Sequence, residues 1–137
     1  MEEKTIFEKI IERIIPATII YEDEYTLAFL DAHPINPGHT LVVPKKHSKN
    51  IYDTDVETIR AVAETVQKIA IAIKKATKAD GINIHQNNDA AAGQIIFHTH
   101  THVIPRFEGD GYVHWRNSTE YNKEMISQIA QEIKNNL

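Results

Sequence analysis

The sequence contains no cysteine, which excludes disulfides and thiolate metal sites and fits a reducing compartment. No apolar run approaches the roughly 18–20 residues of a membrane span, so a membrane is not an expected partner. Basic charge is also scarce: 15 Lys and Arg stand against 19 Asp and Glu, for a net charge of −4. No segment is dense in Lys or Arg, so duplex nucleic acid is not an expected partner either. A small phosphate ligand stays open, because a local cluster of donors can hold one whatever the global charge. Internal repeats and low-complexity tracts are absent. The opening Met1-Glu2-Glu3-Lys4 is acidic and leads into an amphipathic segment, whereas a secretory signal would be basic and then apolar. What remains is 137 residues, 42% hydrophobic and 25% charged. That reads as one cytoplasmic domain, 1–137, large enough to bury a core without staples.

Along the chain, Ile6, Phe7, Ile10, Ile11, Ile14 and Ile15 recur at helical spacing, which predicts a helix over Thr5–Ile15 stopped by Pro16. Ala17–Tyr21 and Tyr25–Asp31 read as a hairpin through the acidic turn Glu22-Asp23-Glu24. A loop rich in Pro and Gly runs to Gly38, and His39–Val43 reads as a further strand closed by Pro44. The basic Lys45-Lys46-His47 that follows reads as a solvated strand end. Thr54-Asp55-Val56-Glu57 has the pattern of a capping box. It opens the longest helix, with Ile59, Val62, Val66, Ile69 and Ile73 in one apolar stripe and Asp80-Gly81 at its end. Ile82–Asn87 alternates as a strand, its polar face made of Asn83, His85 and Asn87. Tyr121, Met125, Ile129, Ile133 and Leu137 predict a terminal helix over Ser118–Asn136. Strands at both ends of a helix, with hairpin-like neighbours, imply an α+β fold with an antiparallel sheet.

The chemistry concentrates in Phe97–Arg106, where His98, His100 and His102 alternate among Thr, Val, Ile and Phe. These residue types favour strands, and alternate residues of a strand share a face. Three readings of three imidazoles in register compete. They could be zinc ligands in an open catalytic site, or one could be a covalent nucleophile oriented by its neighbours. The bland reading makes them hydrogen-bonded side chains on a half-buried face. No Asp or Glu, the usual partners of metal-bound histidine, lies just before the strand until Asp89. Asn87, Gly93 and Gln94 precede it instead, and amides with a close-approaching glycine backbone suit phosphate oxygens. That favours phosphoryl or nucleotidyl chemistry.

Gly93-Gln94 followed by His98-Thr99-His100-Thr101-His102-Val103-Ile104 resembles the motif of the histidine triad (HIT) nucleotide-binding proteins. The resemblance extends to Ile6–Ile10, Ile15–Ala17, Tyr21–Glu24, Ala28–Asp31 and Pro37–His47, and is strongest toward the Hint-like branch and its bacterial relatives. It implies a HIT-like fold, with a five-stranded antiparallel sheet, a long central helix and terminal helices, assembled as a homodimer. It further implies binding of purine nucleoside monophosphates such as AMP, and cleavage of nucleoside 5′-phosphoramidates or related nucleotidyl esters and anhydrides. In that scheme His100 attacks the phosphorus to form a nucleotidyl-histidine that water resolves. His102 contacts the phosphate and leaving group, and His98 orients the triad. Asp31 would hold the ribose hydroxyls; Asn87, Gln94 and Gly93 the phosphate; His39 the pocket; Phe7, Ile10 and Leu41 the base. No cofactor is implied. Where many bacterial relatives carry Cys-x-x-Cys toward a structural zinc, this chain has Thr5 and Glu8, so no metal is expected although His47 and His98 remain. Ile95 replaces a serine that often bonds near the scissile phosphate. A dinucleoside polyphosphate hydrolase and a catalytically weak AMP-binding module are the alternative readings.

Overall fold

The computed structural model describes residues 2–115 and 120–137. In chain order it holds α1 (Ile6–Ile11), β1 (Ile19–Glu22), β2 (Thr26–Leu30), β3 (Thr40–Pro44) and α2 (Val56–Thr77). Then come β4 (Gly81–His85), a single 3-10 turn (Ala90–Ala92), β5 (Thr101–Arg106) and α3 (Lys123–Asn135). The strands form one antiparallel sheet in the order β1-β2-β3-β5-β4, so β1 and β4 are its edges. No described helix is long and apolar enough to cross a membrane.

The sheet has two working faces, assigned by strand register because directly opposed residues share a face. Ala28, Val42 and Val103 pack beneath Val62, Val66, Ile69 and Ile73 of α2, which is the apolar stripe read from the sequence. Leu27, Phe29, Leu41 and Val43 turn the other way and pack with Phe7 and Ile10 of α1. On that second face a row crosses the whole sheet: Ile19, Phe29, Leu41, His102 and His85. The site is built on this row. Leu27 beneath it is fully buried, and Leu27→Ala should lower the free energy of unfolding by about 2–5 kcal/mol, read as a fall in the urea midpoint at unchanged slope.

Several boundaries differ from the periodicity, each for a local reason. Helix α1 ends at Ile11, not Ile15: Arg13 takes a left-handed φ of 64°, and the amides of Ile14 and Ile15 turn back to the Lys9 carbonyl. Thr5 is its cap, in a reciprocal capping box with Glu8. Helix α2 is capped by Asp55, which accepts from the Thr58 amide at 2.8 Å. The Thr54 hydroxyl bonds instead to the Asn50 carbonyl and Ser48. The helix closes at Lys78 with φ 57°, ahead of Asp80-Gly81. Helix α3 starts at Lys123; the expected start at Ser118 lies outside the described residues.

The largest departure concerns the histidine strand, which becomes regular only at Thr101. Val42 pairs with Thr101 as the last ladder step toward β3, and the next residue facing it, Pro44, has no N–H to donate. Beyond that point side chains replace the ladder. The Thr99 amide donates to the Ser48 carbonyl at 2.8 Å, and the Ser48, Thr54 and Thr99 hydroxyls interlock. Residues 96–98 form a bend and His100 lies just before the ladder, so only His102 belongs to the regular strand.

Candidate active site

The three triad rings are each fixed in one tautomer by partners that can only accept or only donate. His98, fully buried, has Nε2 at 2.9 Å from the Pro44 carbonyl, so Nε2 carries the proton. His100 has Nδ1 at 2.8 Å from the His98 carbonyl. Its proton is thus on Nδ1, and Nε2 presents a lone pair. The third assignment runs through His39. The Ile35 amide donates to His39 Nδ1 at 3.1 Å, so His39 Nε2–H is the donor toward His102 Nδ1 at 2.9 Å. His102 must then carry its own proton on Nε2. The face offers a bare nitrogen and an N–H side by side, on rings whose centroids are 5.1 Å apart.

Burial first of all holds the triad neutral. Desolvation lowers the pKa of His98 and His100 below the ordinary 6.5, against hydrogen bonds to backbone carbonyls that raise it. His102 is pushed down to about 4 by burial and then by the neighbouring His100 and His39. His39 is lowered by burial against the Asp31 carboxylate. An imidazole with a depressed pKa is neutral and nucleophilic at pH 7. The same shifts couple to folding. From pH 6.5 down to about 4, where His102 itself titrates, the unfolded chain takes up protons that these buried rings refuse, so stability falls as the pH drops through that window. Carboxylates held low, such as Glu8 and Asp23, lose their contribution only toward its acid end and below. Urea midpoints should therefore fall from pH 7 to pH 5, and less so in His102→Gln.

The remaining expected site residues fall into two groups. Phe7, Ile10 and Leu41 are buried together with Phe29, and the Phe7 ring stands edge-on to His100 at 4.9 Å. Phe29 belongs to this apolar wall and was legible only as part of Ala28-Phe29-Leu30-Asp31. Asp31 directly follows β2 beside His39, with Oδ2 3.5 Å from His39 Nε2 and Oδ1 accepting from the His33 amide. Asn87 is exposed, and among the described residues its amide has no hydrogen-bond partner. Gly93 is needed beside it: its φ is +94°, and a Cβ there would meet Asn87 Nδ2 at 3.3 Å. The Gly93 amide itself is turned inward to the Ala90 carbonyl.

Gln94 stands apart from this arrangement. Its Nε2 donates to the Lys49 and Ile96 carbonyls, and its Oε1 accepts from the Asp89 amide and Asn50. All four bonds of which an amide is capable are filled, so Gln94 holds the loop that carries the triad and has none left for a phosphate. Ile95 is 87% exposed and contributes no polar group.

Lys45 and Lys46 are indeed surface residues, paired with Glu22 and Asp55. His47 is not idle: its Nε2 donates to the Phe97 carbonyl and its ring packs 5.1 Å from that of His98. Glu8, His47 and His98 bring ligating atoms within 4.8 Å of one another. Three donors fall one short of a closed tetrahedral structural zinc site, and the Glu8 carboxylate is already bonded to the Thr5 amide at 2.7 Å. Glu8 is engaged in its capping box, while the buried His98 Nδ1 has no hydrogen-bond partner among the described residues. Asp31, His39 and His102 form a second such group, inside the site.

Residues 12–109 match the family model described as HIT domain. An uncharacterized HIT-like protein of Methanocaldococcus jannaschii is 49% identical over 129 residues, covering 94% of this chain and 98% of that one. The adenylylsulfatase HINT3 of Arabidopsis thaliana is 43% identical over 110 residues, 80% of this chain and 56% of its own length. The crystal structure of a HIT family member from Bacillus subtilis superposes with a TM-score of 0.92 at 40% identity, covering 98% of both chains.

Proposed function

The chain belongs to the HIT domain family, and on that premise we propose that it is a nucleotide-binding hydrolase working through a nucleotidyl-histidine. The observation that carries this reading is the tautomer pair: His100 Nε2 bare, His102 Nε2 protonated, both held by fixed partners. His100 Nε2 attacks the α-phosphorus, and the bond to the leaving group breaks as the new N–P bond forms. His102 Nε2–H bonds the phosphate and gives its proton to a departing amine. Water then attacks the adduct, its proton passes to the vacated Nε2 of His102, and AMP and free His100 are released. Splitting the transfer into two displacements replaces one difficult step with two easier ones.

The binding roles follow the same placement. Phe7, Ile10, Phe29 and Leu41 form the wall for a purine. Asp31, with lone pairs beyond its bond to the His33 amide, accepts from two vicinal ribose hydroxyls by charge-assisted bonds. Asn87 serves the phosphate. Nucleoside 5′-phosphoramidates and mixed anhydrides are the substrate classes, the latter supported by the relative named adenylylsulfatase. Incubation with adenosine 5′-phosphoramidate or adenosine 5′-phosphosulfate should release AMP, with a transient AMP adduct in the intact mass. Tight AMP binding with no turnover on either would instead make this a binding module.

A homodimer belongs to the same reading. β4 is a free edge, and Ile51, Ile59 and Ile84 are exposed beside a groove of about 350 Å³ that also reaches Val62 and Val66. Pairing two β4 edges would continue the sheet and cover that apolar surface. Light scattering should give twice the chain mass.

A further inference from the structure

His85 lies on edge strand β4 directly across from His102 and has no part in the chemistry assigned so far. Directly opposed residues of an antiparallel pair point to one face with Cβ atoms about 4.5–5.5 Å apart, so His85 stands on the site face. Its ring is exposed and makes no hydrogen bond among the described residues. It is close enough for its charge to bear on both His39 and His102. For an edge-strand histidine the plain alternative is a solvated side chain.

The row across the sheet argues otherwise. On one side of His102 lie Leu41, Phe29 and Ile19; on the other lies His85. The carboxylate that bears on His102, Asp31, is on the apolar side too, just past the end of β2. A nucleoside seated against Phe7 and Leu41 fills that side, so the substrate beyond the phosphorus must extend over β4. There it meets an imidazole. Pairing of β4 with a second copy would use backbone groups in the plane of the sheet and leave the side chains of this face free.

We propose that His85 is a specificity-determining contact for the leaving group, favouring an anionic one such as sulfate or phosphate over an amine. The proposal rests on the nucleotidyl-transfer reading above. An amine leaves with a proton, which His102 supplies. An oxyanion leaves with the bonding electron pair and needs no proton, only a donor to its negative oxygens as the P–O bond breaks and the His100 N–P bond forms. The His85 N–H supplies that donor.

The test compares kcat/KM on adenosine 5′-phosphosulfate and adenosine 5′-phosphoramidate for the wild-type protein, His85→Leu and His85→Arg. His85→Leu should lower the sulfate-to-amidate ratio about tenfold or more, the scale of one hydrogen bond to a charged group. His85→Arg, which keeps a donor, should retain most of the ratio. Circular dichroism verifies that both variants fold. A ratio unchanged in His85→Leu, or lost equally in His85→Arg, overturns the proposal while leaving the nucleotidyl-transfer reading intact. No AMP release by the wild-type protein from either substrate overturns both.

Discussion

His100→Ala should abolish AMP release, lowering kcat by at least about 10⁴-fold, because it removes the atom that forms the covalent bond and not merely a contact. The neighbouring groups cannot substitute. His98 Nε2 is tied to the Pro44 carbonyl and its ring is fully buried. His102 presents an N–H to the face and keeps its lone pair on Nδ1, turned toward His39. The variant should still bind AMP, since Phe7, Ile10, Leu41 and Asp31 are untouched, and the adduct should vanish from the intact mass. His100→Gly rescued by added imidazole would show that the loss is the nucleophile's alone. Release surviving in His100→Ala would sink the covalent mechanism.

The second large effect lies one residue behind the chemistry. His39 touches no reacting atom in this scheme, but it relays the Ile35 amide proton's direction to His102 through two hydrogen bonds. In His39→Leu, His102 is free to place its proton on Nδ1 and aim a lone pair at the phosphate. The expected cost on phosphoramidates is about 10²-fold in kcat, the lower range for a lost general acid. His39→Gln, whose amide N–H can stand near the position of Nε2, should recover part of it. The titration of His102 separates positioning from mere folding. His39 is among the groups that depress His102, so removing it should move the NMR titration of the His102 ring to higher pH. A uniform loss with an unshifted titration would assign His39 a structural role only.

Much of this architecture is legible without coordinates, for definite reasons. The α2 stripe of Val62, Val66, Ile69 and Ile73 is a 3.6-residue pattern over 22 residues, long enough that no alternative period fits. Alternation in Ile82–Asn87 placed His85 and Asn83 on one side and Ile82 and Ile84 on the other, and the register bears that division out. The errors cluster where side chains compete with the backbone for hydrogen bonds. Thr54 and Asp55 are equally good caps on paper; the choice fell to Asp55 because the Thr54 hydroxyl is engaged with Asn50 and Ser48. Gln94 reads as a phosphate ligand from its place before the triad, yet its four bonds go to Lys49, Asn50, Asp89 and Ile96. None of those partners is predictable from spacing, since three of them come from other turns of the loop or from across the fold.

The sequence by itself marked three imidazoles as one candidate site, the HIT family, and an antiparallel α+β sheet under one long helix. The first and third follow from alternation and helical period, which are properties of neighbouring residues; the second follows from the likeness of Gly93-Gln94 and His98–Ile104 to the family's motif. The tertiary structure alone decided which nitrogen of each ring is bare. That depends on the Pro44 carbonyl, the His98 carbonyl and the Ile35 amide, backbone groups that no sequence pattern distinguishes. It also decided where the strand stops, because the missing N–H of Pro44 acts on Thr99 and Thr101 only once β3 and β5 lie side by side.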